Sequence, residues 1–172
     1  MHLYRKVVPK IARDVIRTFT SQQLIEVEDG RMEEAELDLA AVMVEYLNAE
    51  DRVAKEARDV LARRGLGQER FAQLKKSIGD ARGIKVGEEG LDYVLAQLLE
   101  ALFSSKNIAE IFAEDHDLRK VIKEIIMKYL SVPEELDRDA RARLKNLREG
   151  SPEWDIEYPR VVAQLKRQRG LA

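Results

Sequence analysis

The 172-residue sequence contains no cysteine and only two histidines, His2 and His116. The absence of cysteine excludes disulfides, Cys-ligated zinc, iron–sulfur clusters and thiol nucleophiles. The one segment that resembles a ligand cluster, Glu114–Asp117, precedes an apolar helix, where acidic residues favour the positive end of the helix dipole. No Ser/His/Asp arrangement stands out either. We therefore expect no catalytic residues, no metal ligands and no cofactor, and we expect that the protein is not an enzyme.

Long apolar runs are also missing. The longest stretch without a charged residue is Thr18–Ile25, which is eight residues long and half polar, whereas about 20 apolar residues are needed to span a bilayer. Residues 1–10 carry Arg5, Lys6 and Lys10 and lack the apolar stretch of a secretory signal. We expect a cytoplasmic protein with no membrane partner.

Charge of a single sign is not in excess. The chain has 30 Lys and Arg against 32 Asp and Glu, a net charge of -2, and 45% hydrophobic residues, a balance that excludes disorder and indicates one domain or two small ones. The charges are segregated, because residues 5–17, 138–148 and 160–169 are basic and residues 26–38 are acidic. Basic runs can contact phosphates, but a strongly positive net charge and an aromatic stacking platform are absent.

What the sequence does contain is helix-forming residues and an internal repeat. Ala, Leu, Glu, Lys and Arg dominate, and strand-like alternation of apolar and polar residues is missing. Phe19 aligns with Phe103, and further matches follow in the same order: Ser21 with Ser105, Glu26 with Glu110, Tyr46–Leu47 with Tyr129–Leu130, and residues 72–75 with 163–166. We predict an all-α fold of two similar three-helix lobes that arose by internal duplication.

The predicted boundaries follow from the glycine distribution. Gly79, Gly83, Gly87 and Gly90 lie within twelve residues, and glycine weakens helices. We predict a first helical copy at residues 1–78, a Gly-rich linker at 79–90 and a second copy at 91–172.

Helix ends are predicted from spacing and capping residues. Apolar residues recur every seven positions from Met32 to Val60, which favours one helix over residues 32–64, with a weak break or none near residues 48–51. Pro133 predicts a break near residues 131–134. Asp117 is the expected N-cap of the apolar helix that follows it. Ser131 and Glu134 have the spacing of a capping box.

The C-terminal segment at residues 149–159 holds the only tryptophan, Trp154. Ser151 is a predicted N-cap and Pro152 suits the first helical position. Trp154 and Tyr158 lie four residues apart and would share a helix face. Two roles for Trp154 stay open, a packing anchor for the C-terminal segment, which we favour, and an exposed contact for a partner.

This segment, together with Arg169–Leu171, resembles the bacterial family known as domain of unknown function 507. Members end in a similar Glu-Gly-Ser-x-Glu-Trp-Asp-x-x-Tyr stretch and a basic Arg-Gly tail. The resemblance extends over residues 117–171, and the first half is similar to the family only through the repeat, which suggests a tandem two-copy form. It implies an all-helical cytoplasmic protein and supplies no activity.

We expect a non-catalytic interaction or scaffold protein, with an unknown protein partner or self-association. The alternative is an RNA-associated protein that uses basic helical faces. The candidate interaction residues are Trp154, Tyr158, Arg138, Arg141, Arg143, Lys166, Arg167 and Arg169.

Overall fold

A computed structural model describes residues 1–172, and most of them are helical. None of the helices combines the length and the apolar composition that a membrane crossing requires. Short 3-10 turns precede three of them. In chain order the elements are α1 (Val8–Ser21), β1 (Ile25–Val27), α2 (Met32–Arg64), α3 (Phe71–Ala81), α4 (Gly90–Ser104), β2 (Ile108–Ile111), α5 (Asp115–Leu130), α6 (Val132–Arg143) and α7 (Pro152–Gln168).

The long helix α2 confirms the prediction from the seven-residue spacing. It runs without interruption for 33 residues, and Leu39, Tyr46 and Val53 are buried along one side. It ends where Gly65 takes a left-handed backbone conformation with φ of 61°, which glycine adopts without a steric penalty. The weak break considered near residues 48–51 is absent.

The corresponding region of the second half is divided into two helices, as predicted. Helix α5 ends at Leu130, and α6 begins at Val132 with Pro133 in its first turn. The predicted caps are wrong, however. Ser131 has a helical backbone and its hydroxyl donates to the carbonyl of Lys128 at 2.8 Å, so no capping box forms. Helix α5 already begins at Asp115, which places Asp117 inside its first turn.

A two-stranded antiparallel ribbon corrects the all-α prediction. Strands β1 and β2 pair with Ile25 opposite Ile111 and Glu26 opposite Glu110, and the register shifts before Val27. These strands have three and four residues, too few for the alternation by which a strand is recognised in a sequence. The ribbon joins the two halves of the chain and buries Ile25.

The hydrophobic core is shared by both halves. Thirty buried residues form one cluster, and α1 and α4 each pack against both α2 and α5. Helix α3 packs on α2, and α7 packs on α6. The two lobes therefore do not enclose separate cores, while the domain boundaries at residues 78 and 91 stay a prediction.

The predicted Gly-rich linker is packed against this core. Gly79 lies inside α3 and is buried, and a Cβ atom there would lie 2.9 Å from the carbonyl oxygen of Ile84. Ile84 and Val86 are buried in the common core. Gly90 begins α4 directly beneath the hydroxyl of Tyr46. Two of the four glycines thus permit a close approach of packed elements, which a side chain would prevent.

Candidate functional site

The predicted residues Trp154 and Tyr158 lie in the C-terminal hairpin, formed by α6 and α7. Their rings stack with centroids 5.3 Å apart and planes 14° apart. The backbone N–H of Trp154 donates to the hydroxyl of Ser151 at 3.3 Å, which confirms the predicted N-cap. The guanidinium of Arg141 lies 5.5 Å from the Trp154 ring, a cation–π distance. Trp154 is partly buried within the hairpin.

Arg141 is held by two carboxylates. Its Nε lies 3.0 Å from Asp137, and its Nη1 lies 2.7 Å from Glu149. The hydroxyl of Tyr158 also donates to Asp137. The hydrogen bond from Tyr158 and then that from Arg141 hold the pKa of Asp137 below its usual value, and Arg141 lowers the pKa of Glu149 in the same way. The pKa of Tyr158 is raised by Asp137.

Most of the other predicted interaction residues are also engaged within the chain. Arg169 binds Asp139 and lies 3.6 Å from Glu135. The Lys166 ammonium lies 5.0 Å from the ring of Tyr4. Arg143 donates to the side chain of Gln168 at 3.4 Å. Only Arg138 and Arg167 are exposed and without an ion pair or side-chain hydrogen bond. The C-terminal residues therefore form an intramolecular network more than a free surface.

The largest apolar depression lies elsewhere, between α2, α4 and the turn at residues 82–84; we call it the α2–α4 groove. Its volume is about 740 Å³. The rings of Tyr46 and Tyr93 lie 5.9 Å apart in its wall. The Tyr46 hydroxyl donates to the carbonyl of Lys85 at 3.0 Å and to Glu50 at 3.2 Å. Burial, followed by the charge of Glu50, raises the pKa of Tyr46 far above its ordinary value.

The rim of the α2–α4 groove holds paired charges, and Ala41 at its edge lies one turn of α2 from two exposed apolar side chains. Arg82 lies 2.7 Å from Glu56, and Arg52 lies 3.1 Å from Glu45. On the neighbouring face of α2, Leu37 and Val44 are 66% and 39% exposed, and the exposed Ala41 lies between them in sequence. Positions 37, 41 and 44 follow the spacing of one helix face. Sequence reasoning missed this second, outward stripe because it is short, whereas the seven-residue spacing of the other stripe continues from Met32 to Val60.

A second depression of about 760 Å³ adjoins the groove at Ala41 and is polar. Asp38 accepts hydrogen bonds from the hydroxyl of Ser105 and from Nδ2 of Asn107, the latter at 2.8 Å. Glu28 and Asp29 line the same depression. Arg31 and Lys106 line it as well, so one end of the groove meets a polar surface that carries both charges.

The acidic segment around His116 lies at the start of α5. Its imidazole is 3.4 Å from Glu114 and 3.3 Å from Asp117, and all three side chains are strongly exposed. No group of three or more His, Asp or Glu residues has the arrangement of a metal site.

A row of basic residues lies along one side of α1 and of the turn before it. We call these residues, Lys6, Lys10, Arg13 and Arg17, the basic stripe. All four are exposed. Asp14, beside them, accepts a hydrogen bond from Tyr129 at 2.6 Å, and burial together with this bond raises the pKa of Tyr129 to about 12.

The architecture is that of a mostly helical protein with a small antiparallel ribbon. The chain belongs to the family described as protein of unknown function (DUF507), whose model matches residues 1–171. No curated protein matches the sequence. The family match includes the first half of the chain, which corrects the expectation that this half is similar to the family only through the repeat. The match does not show a tandem two-copy form.

Proposed function

We propose that the protein is a non-catalytic interaction module that binds a segment of a partner protein in the α2–α4 groove. The observation that carries this proposal is the apolar groove, whose lining includes Ala41, one turn of α2 from exposed Leu37 and Val44. Exposed apolar side chains grouped beside a concave surface are typical of protein contact sites, because contact removes them from water.

The shape and charge of the groove favour an amphipathic helix as its occupant. The groove follows two packed helices, α2 and α4, and reaches the outward stripe of α2 at Ala41. A helix with apolar residues at every third or fourth position binds such a groove through a few anchoring side chains. The depression that adjoins the groove is lined by three acids and by the bases Arg31 and Lys106. The matching end of the partner helix therefore carries polar side chains of both charges.

Charged substitutions on the outward stripe test this proposal. We expect that the double variant Leu37→Arg/Val44→Arg keeps the fold, since both side chains are exposed, and loses partners that the unchanged protein captures from a native lysate. The matched control is Ile156→Arg in α7, because Ile156 is 69% exposed and lies outside the groove. Capture that is equal in all three proteins argues against the groove. A protein that captures nothing above background and is monomeric at every concentration overturns the proposal.

RNA association through basic helical faces is the second candidate function. For the C-terminal basic residues it has little support, because Arg141, Lys166 and Arg169 are engaged within the chain. Arg138 and Arg167 are the two predicted residues there that are available to phosphates. The double variant Arg138→Gln/Arg167→Gln tests this candidate. If these residues contact RNA, the affinity of the variant falls furthest below that of the unchanged protein at low salt, where phosphate contacts are strongest.

We also propose that the two halves arose by internal duplication, in one chain whose copies share a core. The order helix, strand, long helix, helix in α1–β1–α2–α3 recurs in α4–β2–α5/α6–α7. The aligned residues Glu26 and Glu110 are partners in the ribbon, as expected if the copies are related by an approximate two-fold axis through it.

The surface depressions give independent support for duplication. For four of the α2 residues that line the α2–α4 groove, the residue 83 positions later lines the depression between α1 and α5. The pairs are Val42 and Ile125, Glu45 and Lys128, Tyr46 and Tyr129, and Ala49 and Val132. An alignment of family members tests this, because true copies match each other at these pairs more often than at positions shifted by a few residues.

A further inference from the structure

The basic stripe presents four cations on one side of α1 and the turn that leads into it. The spacings from Lys6 to Lys10, Arg13 and Arg17 are four, three and four residues, and residues at such intervals lie on the same helix face. The row spans about 16 Å at a rise of 1.5 Å per residue. Like charges at these intervals repel and destabilise a helix by a few tenths of a kcal/mol per pair.

None of these charges is neutralised within the chain. The stripe residues take part in no ion pair and no side-chain hydrogen bond, whereas the neighbouring Arg5 binds Asp51 at 2.6 Å. The one acid of α1, Asp14, lies beside Tyr129 and accepts its hydrogen bond. Lys128 of α5 lies close to the stripe, because it lines a depression of about 420 Å³ together with Arg17. It forms no ion pair and adds a fifth cation to this surface.

The surroundings of the stripe narrow the chemistry of its partner. The apolar side of α1, with Ile11, Val15 and Phe19, is buried in the core, so α1 has no apolar face to insert into a membrane. None of the large exposed apolar side chains lies on α1, so the apolar and aromatic anchors that dominate protein interfaces are absent there. The one aromatic ring on α1, that of Phe19, is buried, so no ring of this helix stacks on unpaired bases.

We propose that the basic stripe, with Lys128, binds the phosphodiester backbone of a nucleic-acid duplex independently of its sequence. A duplex offers a regular row of anions to a helix face whose one acid, Asp14, is hydrogen-bonded to Tyr129. Such contacts require neither base stacking nor apolar anchors. RNA and DNA duplexes share this backbone chemistry, and the shallow minor groove of RNA favours recognition by shape and phosphates. This surface is separate from the α2–α4 groove, so a partner protein and a duplex occupy different sites.

The experiment measures binding of the full chain to fluorescent 20-base-pair RNA and DNA duplexes and to single-stranded RNA of the same length, from 25 to 200 mM salt. Loss of five condensed counterions gives a slope of about -4.5 in a plot of log affinity against log salt, which is roughly a 500-fold loss of affinity between 50 and 200 mM. The stripe variant Lys10→Gln/Arg13→Gln/Arg17→Gln is expected to bind at least about 10-fold more weakly at 50 mM, with a slope smaller by about three.

The matched control, Arg58→Gln/Arg63→Gln/Arg64→Gln, removes three positive charges from exposed residues of α2 that form no ion pair. We expect its affinity for the duplex to stay within about 3-fold of the unchanged protein. Circular dichroism and thermal unfolding verify that both variants fold. The proposal is overturned if neither duplex binds at 25 mM salt, or if the control loses as much affinity as the stripe variant. It is also overturned if the protein binds only single strands, or if it binds anionic vesicles, tested in parallel, but neither duplex.

Discussion

Glu26 and Glu110 lie directly opposite each other in the ribbon that joins the two halves of the chain. Both side chains are exposed. Like charges that face each other across antiparallel strands destabilise the pair, by an amount comparable to other cross-strand effects of roughly 0.2–1 kcal/mol. The ribbon therefore contains a repulsion that a single charge reversal converts into an attraction.

We expect Glu110→Lys and Glu26→Lys each to raise the free energy of unfolding by about 0.5 kcal/mol, because each places opposite charges across the ribbon. The double variant is its own control, since two lysines again face each other and the gain disappears. Urea unfolding at low and high salt measures the effect, which shrinks as salt screens the charges. Equal gains in the single and double variants would contradict a direct cross-strand interaction.

The contact between Tyr46 and Gly90 predicts a non-additive pair of substitutions. A Cβ atom at residue 90 would collide with the Tyr46 hydroxyl, so Gly90→Ala is expected to destabilise the protein by about 1–3 kcal/mol. Tyr46→Phe removes a hydroxyl that donates to Lys85 and costs about 1 kcal/mol. In the Tyr46→Phe background, Gly90→Ala becomes neutral or stabilising, because alanine is the better helix former. Thermal denaturation of the four proteins measures the coupling, and additive effects would refute the contact.

The position of Trp154 predicts the cost of its removal. Because the ring is partly buried and stacked on Tyr158, we expect Trp154→Ala to lower the free energy of unfolding by about 2 kcal/mol, below the roughly 3–5 kcal/mol of a fully buried aromatic. Ile156→Ala, at a residue 69% exposed in the same helix, is the control and stays within about 0.5 kcal/mol. Denaturant unfolding followed by circular dichroism compares them. Equal losses in both variants would place Trp154 outside the packed hairpin.

Acid is expected to loosen the C-terminal hairpin. The folded-state pKa values of Asp137 and Glu149 are lowered by Tyr158 and Arg141, so these carboxyls hold protons less readily when folded. Their contribution to stability is complete above the unfolded pKa values of about 4 and disappears as the pH falls through the lowered values. Urea midpoints followed by Trp154 fluorescence from pH 6 to pH 2 measure this. The double variant Asp137→Asn/Glu149→Gln is expected to show a weaker dependence of the urea midpoint on pH. An unchanged dependence would exclude these two carboxyls as the cause of the acid sensitivity.

The two serines that precede helices predict different losses. Ser151 accepts a hydrogen bond from the backbone of Trp154 and caps α7, so Ser151→Ala costs about 1 kcal/mol. Ser131 makes no cap, and Ser131→Ala stays within about 0.5 kcal/mol. Thermal unfolding of both variants compares the two positions, and a larger loss at Ser131 would restore the capping box that the structure lacks.

Local patterns predicted most of the helical framework. The seven-residue spacing that continues through Tyr46 predicted the continuous α2, and Pro133 predicted the break between α5 and α6, because both signals act within a few turns of one helix. The ribbon escaped prediction because each strand is stabilised by its partner about 84 residues away, and three residues such as Ile25–Val27 carry no periodic signal of their own.

Candidate surfaces were less predictable than helices. The stacking of Trp154 on Tyr158 followed from their four-residue spacing, whereas the engagement of Arg141 by Glu149 depends on the turn between α6 and α7. The walls of the α2–α4 groove come from segments that are distant in the sequence. Whether the cations of the basic stripe form ion pairs depends on which acidic side chains the neighbouring elements place within contact distance.

The sequence by itself determined that this chain forms amphipathic helices, with Ser151 and Pro152 at the start of the last one, since propensity, periodicity and capping act between near neighbours. Only the tertiary structure decided that the two halves share one core and one ribbon, that Arg141 and Arg169 are paired with acids, and that the cations of α1 form no ion pair. Pairing and burial depend on which residues meet across long distances in the chain, and no local pattern contains that information.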